Sequence, residues 1–285
     1  MIRPRSLAVL LVCLSALVAG IVFIAYPGAA HAGQGAAAPE RRTLTPEQME
    51  AFLLKARITR LRGTSVTIAR RATLVEGTFT HDAHIQFVEI ERPASGAPGA
   101  VEPNFKDLWR YNIAAYRLAR LLGMDNVPMS VERQVEGKRA AVTWWIDDVK
   151  MDEKERVRQK ATGPNPERTF LQIQVMRVFD ELIQNEDRNQ GNILWTSDWK
   201  MWLIDHTRAF RSGAGLLKPD QLIRCERGLL ERMRRMTAES IARVMGDAMT
   251  KPELTGLLAR RDLIVKHFDD RIAKYGEAAV LFTLE

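Results

Sequence analysis

The hydrophobic pattern of this chain changes period partway along, and that change limits the folds open to it. Between Val66 and Ile90 apolar residues come in short runs. Thr67-Ile68, Ala72-Thr73-Leu74-Val75 and Ala83-His84-Ile85-Gln86-Phe87-Val88 are strand candidates, with Gly63 and Gly77 at turns beside them. A second hairpin is expected from Val131 to Val135 and Ala140 to Trp145, turning at Glu136-Gly137. From Pro166 onward the spacing is helical: Leu171, Val175, Val178, Phe179 and Leu182 fall on one face. Thr45-Pro46-Glu47-Gln48 opens an earlier helix with a capping box and runs to about Ala56. Phe105 to Leu122 reads as an amphipathic helix that gathers Leu108, Tyr111, Ala115, Leu118, Ala119 and Leu122 on one face and ends at Gly123. Pro93 to Pro103 reads as a loop. Thr237 and Thr250 open two late helices, and Gly276 ends the last one. The expected fold class is therefore α+β. A small β-rich lobe with one helix occupies 45–147, a larger mainly helical lobe occupies 148–285, and a cleft lies between them.

The first 32 residues stand outside that pattern. Arg3 and Arg5 precede an apolar run from Leu7 to Ala25, Pro27 breaks it, and Ala30-His31-Ala32 offers small residues where a signal peptidase cuts. The expectation is a secretory leader over 1–32, followed by a flexible Ala/Gly/Pro-rich linker over 33–44. The run is also long enough to remain as an uncleaved membrane anchor. Either alternative puts the folded part outside the cytoplasm, periplasmic or secreted. Of the two cysteines, Cys13 lies inside the apolar run, so Cys225 alone is left in the folded part. One cysteine forms no internal disulfide and no thiolate zinc cluster. The formal charge of +7 is spread along the chain apart from Arg227, Arg232, Arg234 and Arg235. That pattern gives a solvated surface with a mild preference for anionic partners, and export argues against nucleic acid.

One segment carries chemistry. Asn185-Glu186-Asp187-Arg188-Asn189-Gln190-Gly191-Asn192 is followed by the apolar pair Ile193-Leu194, then by Trp202-Leu203-Ile204 and Asp205-His206-Thr207-Arg208-Ala209-Phe210. The two apolar stretches predict a hairpin with Asn192 at one end and Asp205 at the other, while the preceding helix delivers Asp187. Two carboxylates and an amide suit Mg2+, which takes oxygen ligands and needs only one or two carboxylates when phosphate supplies the rest.

Those residues resemble the catalytic and metal-binding segments of the atypical protein-kinase-like superfamily. Its members include the Golgi casein kinase and four-jointed secretory kinases, the HipA-type kinases and the phosphoinositide kinases. Arg110-Tyr111-Asn112-Ile113-Ala114-Ala115-Tyr116-Arg117-Leu118 with Leu121-Leu122-Gly123 and Val127-Pro128 resembles the regulatory helix and following strand of the secretory kinases. The resemblance implies a two-lobed kinase-like fold that binds ATP with Mg2+ or Mn2+ and phosphorylates a protein or saccharide hydroxyl. It implies Asp187 as the catalytic base and Asn192 and Asp205 as metal ligands. Arg188 and Arg208 match motif positions and fit either of two roles, holding the catalytic loop or facing phosphate, with the structural one favoured.

Two positions depart from the pattern. Members usually carry a strand Lys at the place of Gln86 and a helix Glu near Asn112, and here both are amides. A Gln86–Asn112 pair supplies hydrogen bonds but no positive charge to phosphate. Three readings follow: the alignment is shifted by a few residues; Lys106, Arg70 or Arg71 reaches the phosphates instead; or the chain is a weak kinase or a nucleotide-binding pseudokinase serving as an envelope scaffold. No glycine-rich phosphate loop is present, Gly63-Thr64-Ser65 being a poor substitute.

Overall fold

Thr45 begins the folded part as the sequence requires. Its hydroxyl accepts from Gln48 N at 3.3 Å while Gln48 Oε1 accepts from Thr45 N at 3.0 Å. This capping box starts helix α1 (Pro46–Lys55), which buries Phe52 and Leu53. The computed structural model describes residues 44–63, 69–95 and 102–284. The leader over 1–32, nearly all of the linker, the Thr67-Ile68 strand candidate and Thr64-Ser65 lie outside the described residues.

Phe52 and Leu53 pack on a five-stranded antiparallel sheet. Its first three strands are β1 (Arg57–Gly63), β2 (Arg70–Glu76) and β3 (Phe79–Gln86). The chain then leaves this sheet for a separate ribbon, β4 (Glu89–Ser95) and β5 (Glu102–Leu108), before helix α2 (Arg110–Leu121). It returns as β6 (Ser130–Val135) and β7 (Lys138–Trp144), giving the order β1-β2-β3-β7-β6. Glu136 and Gly137 make the β6–β7 turn with φ of 52° and 75°. Two successive positive φ values are what a two-residue hairpin needs, and Gly137 takes its share without strain.

The ribbon corrects two expectations. Pro93 to Pro103 is not simply a loop, because its two ends are arms of β4 and β5. Phe105 to Leu108 is strand, and the helix starts only after Trp109. Tertiary hydrogen bonds outcompete the local helical ones: Leu108 N donates to Thr207 O at 2.8 Å and Trp109 N to Val88 O at 2.7 Å. A two-stranded ribbon is all edge, so it tolerates prolines that lack a donor.

The second half holds a small sheet of order β10-β9-β8, made of β8 (Val149–Asp152), β9 (Ile193–Thr196) and β10 (Met201–Leu203). Between β8 and β9 come α3 (Glu153–Arg158) and α4 (Pro166–Ile183). The rest is helical: α5 (Arg227–Arg235), α6 (Ala238–Met245) and α7 (Lys251–Tyr275). Gly276 ends α7, but a single-turn α8 (Glu277–Val280) follows it. A parallel pair, β11 (Cys225–Glu226) and β12 (Leu281–Phe282), ties the end of the chain to the start of α5. Among the described residues no helix is long and apolar enough to cross a membrane.

Two large cores result. One lies between α1 and the five-stranded sheet, with Ala72, Leu74, Ala83, Ile85 and Val142. The other surrounds α4 and contains Val178, Phe179, Leu182, Trp195 and Phe210. The predicted face of α2, including Tyr111, Ala115, Leu118 and Ala119, is buried in this second core. Trp109 and Ile113 reach the sheet against Ala141, and the partly buried Tyr116 packs against the sheet's core. Helix α2 thus belongs to the upper half by chain order and to the lower half by packing. Burying side chains such as Leu118 and Leu122 there contributes on the order of 2 kcal/mol each.

Candidate functional site

Helix α4 ends where Gln184 takes a left-handed conformation, φ 49°, and turns the chain into the 185–192 loop. Arg188 organises this loop from within. Its Nε donates to both oxygens of Asp180 at 3.2 and 3.0 Å, and its Nη1 donates to Asn192 O at 3.0 Å and Ile204 O at 2.8 Å. One buried guanidinium therefore joins the end of α4 to the residue before β9 and the residue after β10. This is the loop-holding role expected of Arg188. Asn185 Oδ1 accepts from Asp187 N at 3.2 Å, and Asn192 Nδ2 approaches Asp187 O at 3.4 Å.

Asp205 follows β10 with φ of 52°. A left-handed aspartate is uncommon and costs on the order of 1 kcal/mol or more, so the surroundings must enforce it. They do. Thr207 Oγ1 donates to Asp205 Oδ1 at 3.0 Å, and the next residue, His206, donates its backbone N–H to Asn112 Oδ1 on α2 at 2.8 Å. His206 itself is buried against Phe179 with Nε2 unpartnered. Burial, helped by the charge of Arg188, holds its imidazole well below the ordinary value and so keeps it neutral. It is a packing group of the turn.

Asn192 and Asp205 both line one cavity of about 560 Å³ between the five-stranded sheet and the β9–β10 hairpin. Val127, Leu194 and Ile204 give it apolar surface, and the connector from Trp144 to Val149 closes one side. Asn112 stands at the wall, and Arg71, His84 and Thr143 come from the sheet. A pocket of this size with few polar groups on apolar walls suits a small-molecule ligand. Among the described residues no three or more His, Cys, Asp or Glu converge as a metal cage. Such a cage is unnecessary for Mg2+ or Mn2+ that takes its remaining oxygens from phosphate, and the amide and carboxylate of Asn192 and Asp205 fit that donor type.

The remaining sequence-based candidates are distributed unevenly. Asp187 is outside the cavity lining; its carboxylate is partly exposed and lies 3.6 Å from Arg208 Nη1. Arg208 also spreads over the Phe105 ring, 5.1 Å from its centroid. Gln86 is buried and turns back on its own strand end, its Oε1 accepting from Phe87 N at 3.0 Å and Val88 N at 3.2 Å. It is absent from the cavity lining, and Asn112 uses its Oδ1 on His206 instead, so the expected Gln86–Asn112 pair is not made. Lys106 is also outside the lining. Its ammonium sits 2.6 Å from Glu253 Oε1 and 3.8 Å from Glu91. Arg70 bonds Glu136 at 2.7 Å. Of the cations considered from sequence, Arg71 is the one in the cavity wall.

Three features escaped the sequence reading. His84 rather than Gln86 faces the cavity, where burial holds its imidazole below the ordinary value against the pull of Asp205. Asp107 on β5 has its carboxyl raised by burial and by the neighbouring Asp205 and Asp187 charges, in spite of a hydrogen bond with Thr207. No sequence signal marks it, since it reaches the site only through the ribbon. Glu253 lies at the first turn of α7 and accepts from Lys106, from Tyr111 Oη at 2.5 Å and from Thr250 N at 2.8 Å. Cys225 is buried with its thiol pushed far up by desolvation, which makes it an inert core group.

A five-stranded antiparallel sheet above a helical half, with the Asn192–Asp205 hairpin in the cleft between them, defines a kinase-like fold. Solved structures share it. A hydra Fam20 determined with sugar superimposes with a TM-score of 0.62 at 15% identity, over 83% of this chain and 92% of its own. A Golgi casein kinase gives 0.59 at 14% identity, over 82% and 78%. A Golgi casein kinase with Mn/ADP bound gives 0.60 at 14% identity over the same shares. No family model and no curated protein sequence matches the chain. Identities this low establish the fold and leave the activity to be argued from the site.

Proposed function

We propose that this chain is an exported phosphotransferase that binds ATP with Mg2+ or Mn2+ in its cleft and phosphorylates a hydroxyl of a protein or saccharide. The observation that carries this reading is the meeting of Asn192 and a left-handed Asp205 in the wall of one nucleotide-sized cavity. The Golgi casein kinase with Mn/ADP bound, which has the same fold, supports it by analogy.

A divalent ion held by Asn192 and Asp205 would neutralise phosphate charge as it develops. The chain's own residues do the rest. Asn112 anchors the Asp205-His206 turn, Arg188 fixes the loop, and the apolar walls exclude water from the base. Asp187 accepts the proton of the acceptor hydroxyl as that oxygen bonds to the terminal phosphorus. The bond from phosphorus to the bridging oxygen breaks, and ADP leaves with the electron pair. Export rests on the Leu7 to Ala25 run, and that same segment, left uncleaved, would attach the chain to a membrane.

A non-catalytic, nucleotide-binding reading is favoured by two features: among the described residues no lysine lines the cavity, and the Asp187 carboxylate lies outside the lining, 3.6 Å from Arg208 Nη1. One experiment separates the two. The full chain is titrated with Mn-ATP and its thermal midpoint and phosphate transfer are followed. The catalytic reading expects stabilisation that Asp205→Ala abolishes, and transfer that Asp187→Ala lowers about a hundredfold or more with binding kept. Binding without transfer in any variant points to the scaffold. No binding at millimolar Mn-ATP removes both.

A further inference from the structure

Strand register assigns the cleft a charge that no single strand reveals. Arg62 on β1 opposes Arg71 on β2, Arg71 opposes His84 on β3, and His84 opposes Thr143 on β7. Directly opposed residues project from the same face of a sheet. Three of these four line the cavity, so the fourth, Arg62, projects to the cleft side as well. The neighbouring pair confirms the phase: Leu61 opposes Ala72, which is buried in the core on the other face.

The row ends in two guanidiniums at the edge of the sheet, and their settings complement each other. Arg71 is aimed. Its Nε and Nη2 hold Asp82 at 2.6 and 2.5 Å, Asp82 accepts from Thr73 at 2.7 Å, and the guanidinium lies 4.1 Å over the ring of Trp145, itself a cavity residue. Arg62 is exposed and has no ion pair among the described residues. Both flank the β1–β2 connection, because pairing of the two strands ends one residue further on, at Gly63 and Arg70. A second cation beside one that is already paired leaves net positive charge at that corner. A guanidinium presents forked donors that match phosphate oxygens.

We propose that Arg62 and Arg71 together form the polyphosphate subsite of this cleft, selecting a nucleoside triphosphate over the free nucleoside without a lysine. The proposal rests on the nucleotide-binding reading above. Binding of Mn-ATP and of adenosine to the full chain, measured by titration calorimetry, tests it. Removing both guanidiniums, Arg62→Gln with Arg71→Gln, is expected to weaken Mn-ATP roughly ten- to hundredfold and to leave adenosine unchanged. Arg70→Gln, one residue along and on the opposite face, is expected to change neither. If the double variant keeps the wild-type ratio of ATP to adenosine affinity, the subsite is overturned while the nucleotide reading stands. If the wild type binds neither ligand, both fall. Should Arg71→Gln disturb folding, the exposed Arg62 is read alone. Arg62→Glu should weaken Mn-ATP and spare adenosine, and equal affinity for ATP refutes the assignment.

Discussion

The floor and the roof of the cleft hold their polar groups in different ways. In the floor, Arg188 satisfies Asp180 and two backbone carbonyls, Thr207 holds Asp205, and Asn112 holds the turn after it, all half-buried or deeper. In the roof, a single sheet presents Arg71 with its side chain 47% exposed, and Arg62 beside it without a partner among the described residues. A floor of this kind is positioned before any ligand arrives, which is the preorganisation that transition-state stabilisation needs. A roof of this kind supplies charge that a ligand can order. The lesson is that the two walls should fail differently: floor substitutions cost folding and geometry, roof substitutions cost binding.

Arg188→Ala is the most severe way to break the floor. It leaves the Asp180 carboxylate buried without its cation, with Asn192 O and Ile204 O unsatisfied. Losing one partner of a buried pair costs about 3–5 kcal/mol. Urea unfolding should show that loss, and Arg188→Lys should recover only part of it, since one ammonium cannot bridge three acceptors in fixed directions. A loss under about 1 kcal/mol, the range of exposed pairs, would mean the floor is not held in this way.

A second prediction concerns how α2 is fastened to the floor. Glu253 is almost fully buried and joins Lys106 of β5, Tyr111 of α2 and the start of α7. Burial works to raise its carboxyl, but hydrogen bonds from Lys106, Thr250 N and Tyr111 outweigh that, and its pKa lies below the ordinary 4.5. The sign follows directly. A depressed native pKa contributes stability that is full above the unfolded value and is lost as pH falls through the native one. Glu253→Gln removes the charge from three hydrogen bonds, for a loss of about 2–3 kcal/mol at pH 7. The variant's deficit against wild type should shrink below pH 4.5. A deficit that stays constant from pH 7 to pH 3 would show that the ionised carboxylate is not what holds α2.

The same contrast explains what the sequence could disclose. The floor is a local object: Asp187, Arg188, Asn192 and Asp205 sit in one stretch, and the apolar runs Ile193-Leu194 and Trp202-Leu203-Ile204 fix their spacing through a short hairpin. Turn chemistry and helical period are enough to foresee it. The roof depends on register among β1, β2, β3 and β7, the last of which is separated from the other three by the β4–β5 ribbon, α2 and β6. Alternation puts His84 and Gln86 on the same face of β3 and gives no means of choosing between them. What decides is how far along β3 the sheet meets α2: Gln86 pairs with Ala141, and Ala141 packs against Trp109 and Ile113 at the start of that helix. The start of α2 is set in turn by the β4–β5 ribbon, which the Pro93 to Pro103 stretch disguised as a loop. Lys106 moved for the same reason. Read as helix, it was free to point at phosphate; as part of β5 it meets Glu253.

The smallest predicted effect bears most directly on the roof. Arg71→Gln breaks an ion pair whose members are 47% and 22% exposed, and Asp82 keeps its hydrogen bond from Thr73. Exposed pairs of this kind contribute about 0–1 kcal/mol. Loss of the guanidinium from the face of Trp145 adds about 0.5–1 kcal/mol at an open site. Thermal and urea midpoints of Arg71→Gln should therefore stay near wild type, far above those of Arg188→Ala. A destabilisation approaching that of Arg188→Ala would show that Arg71 is structural, and any weakening of nucleotide binding in the variant would then reflect a disturbed sheet. Near-wild-type stability makes the binding measurement on the Arg62–Arg71 corner a direct reading of charge, because the wall that carries the charge is then intact while the charge is gone.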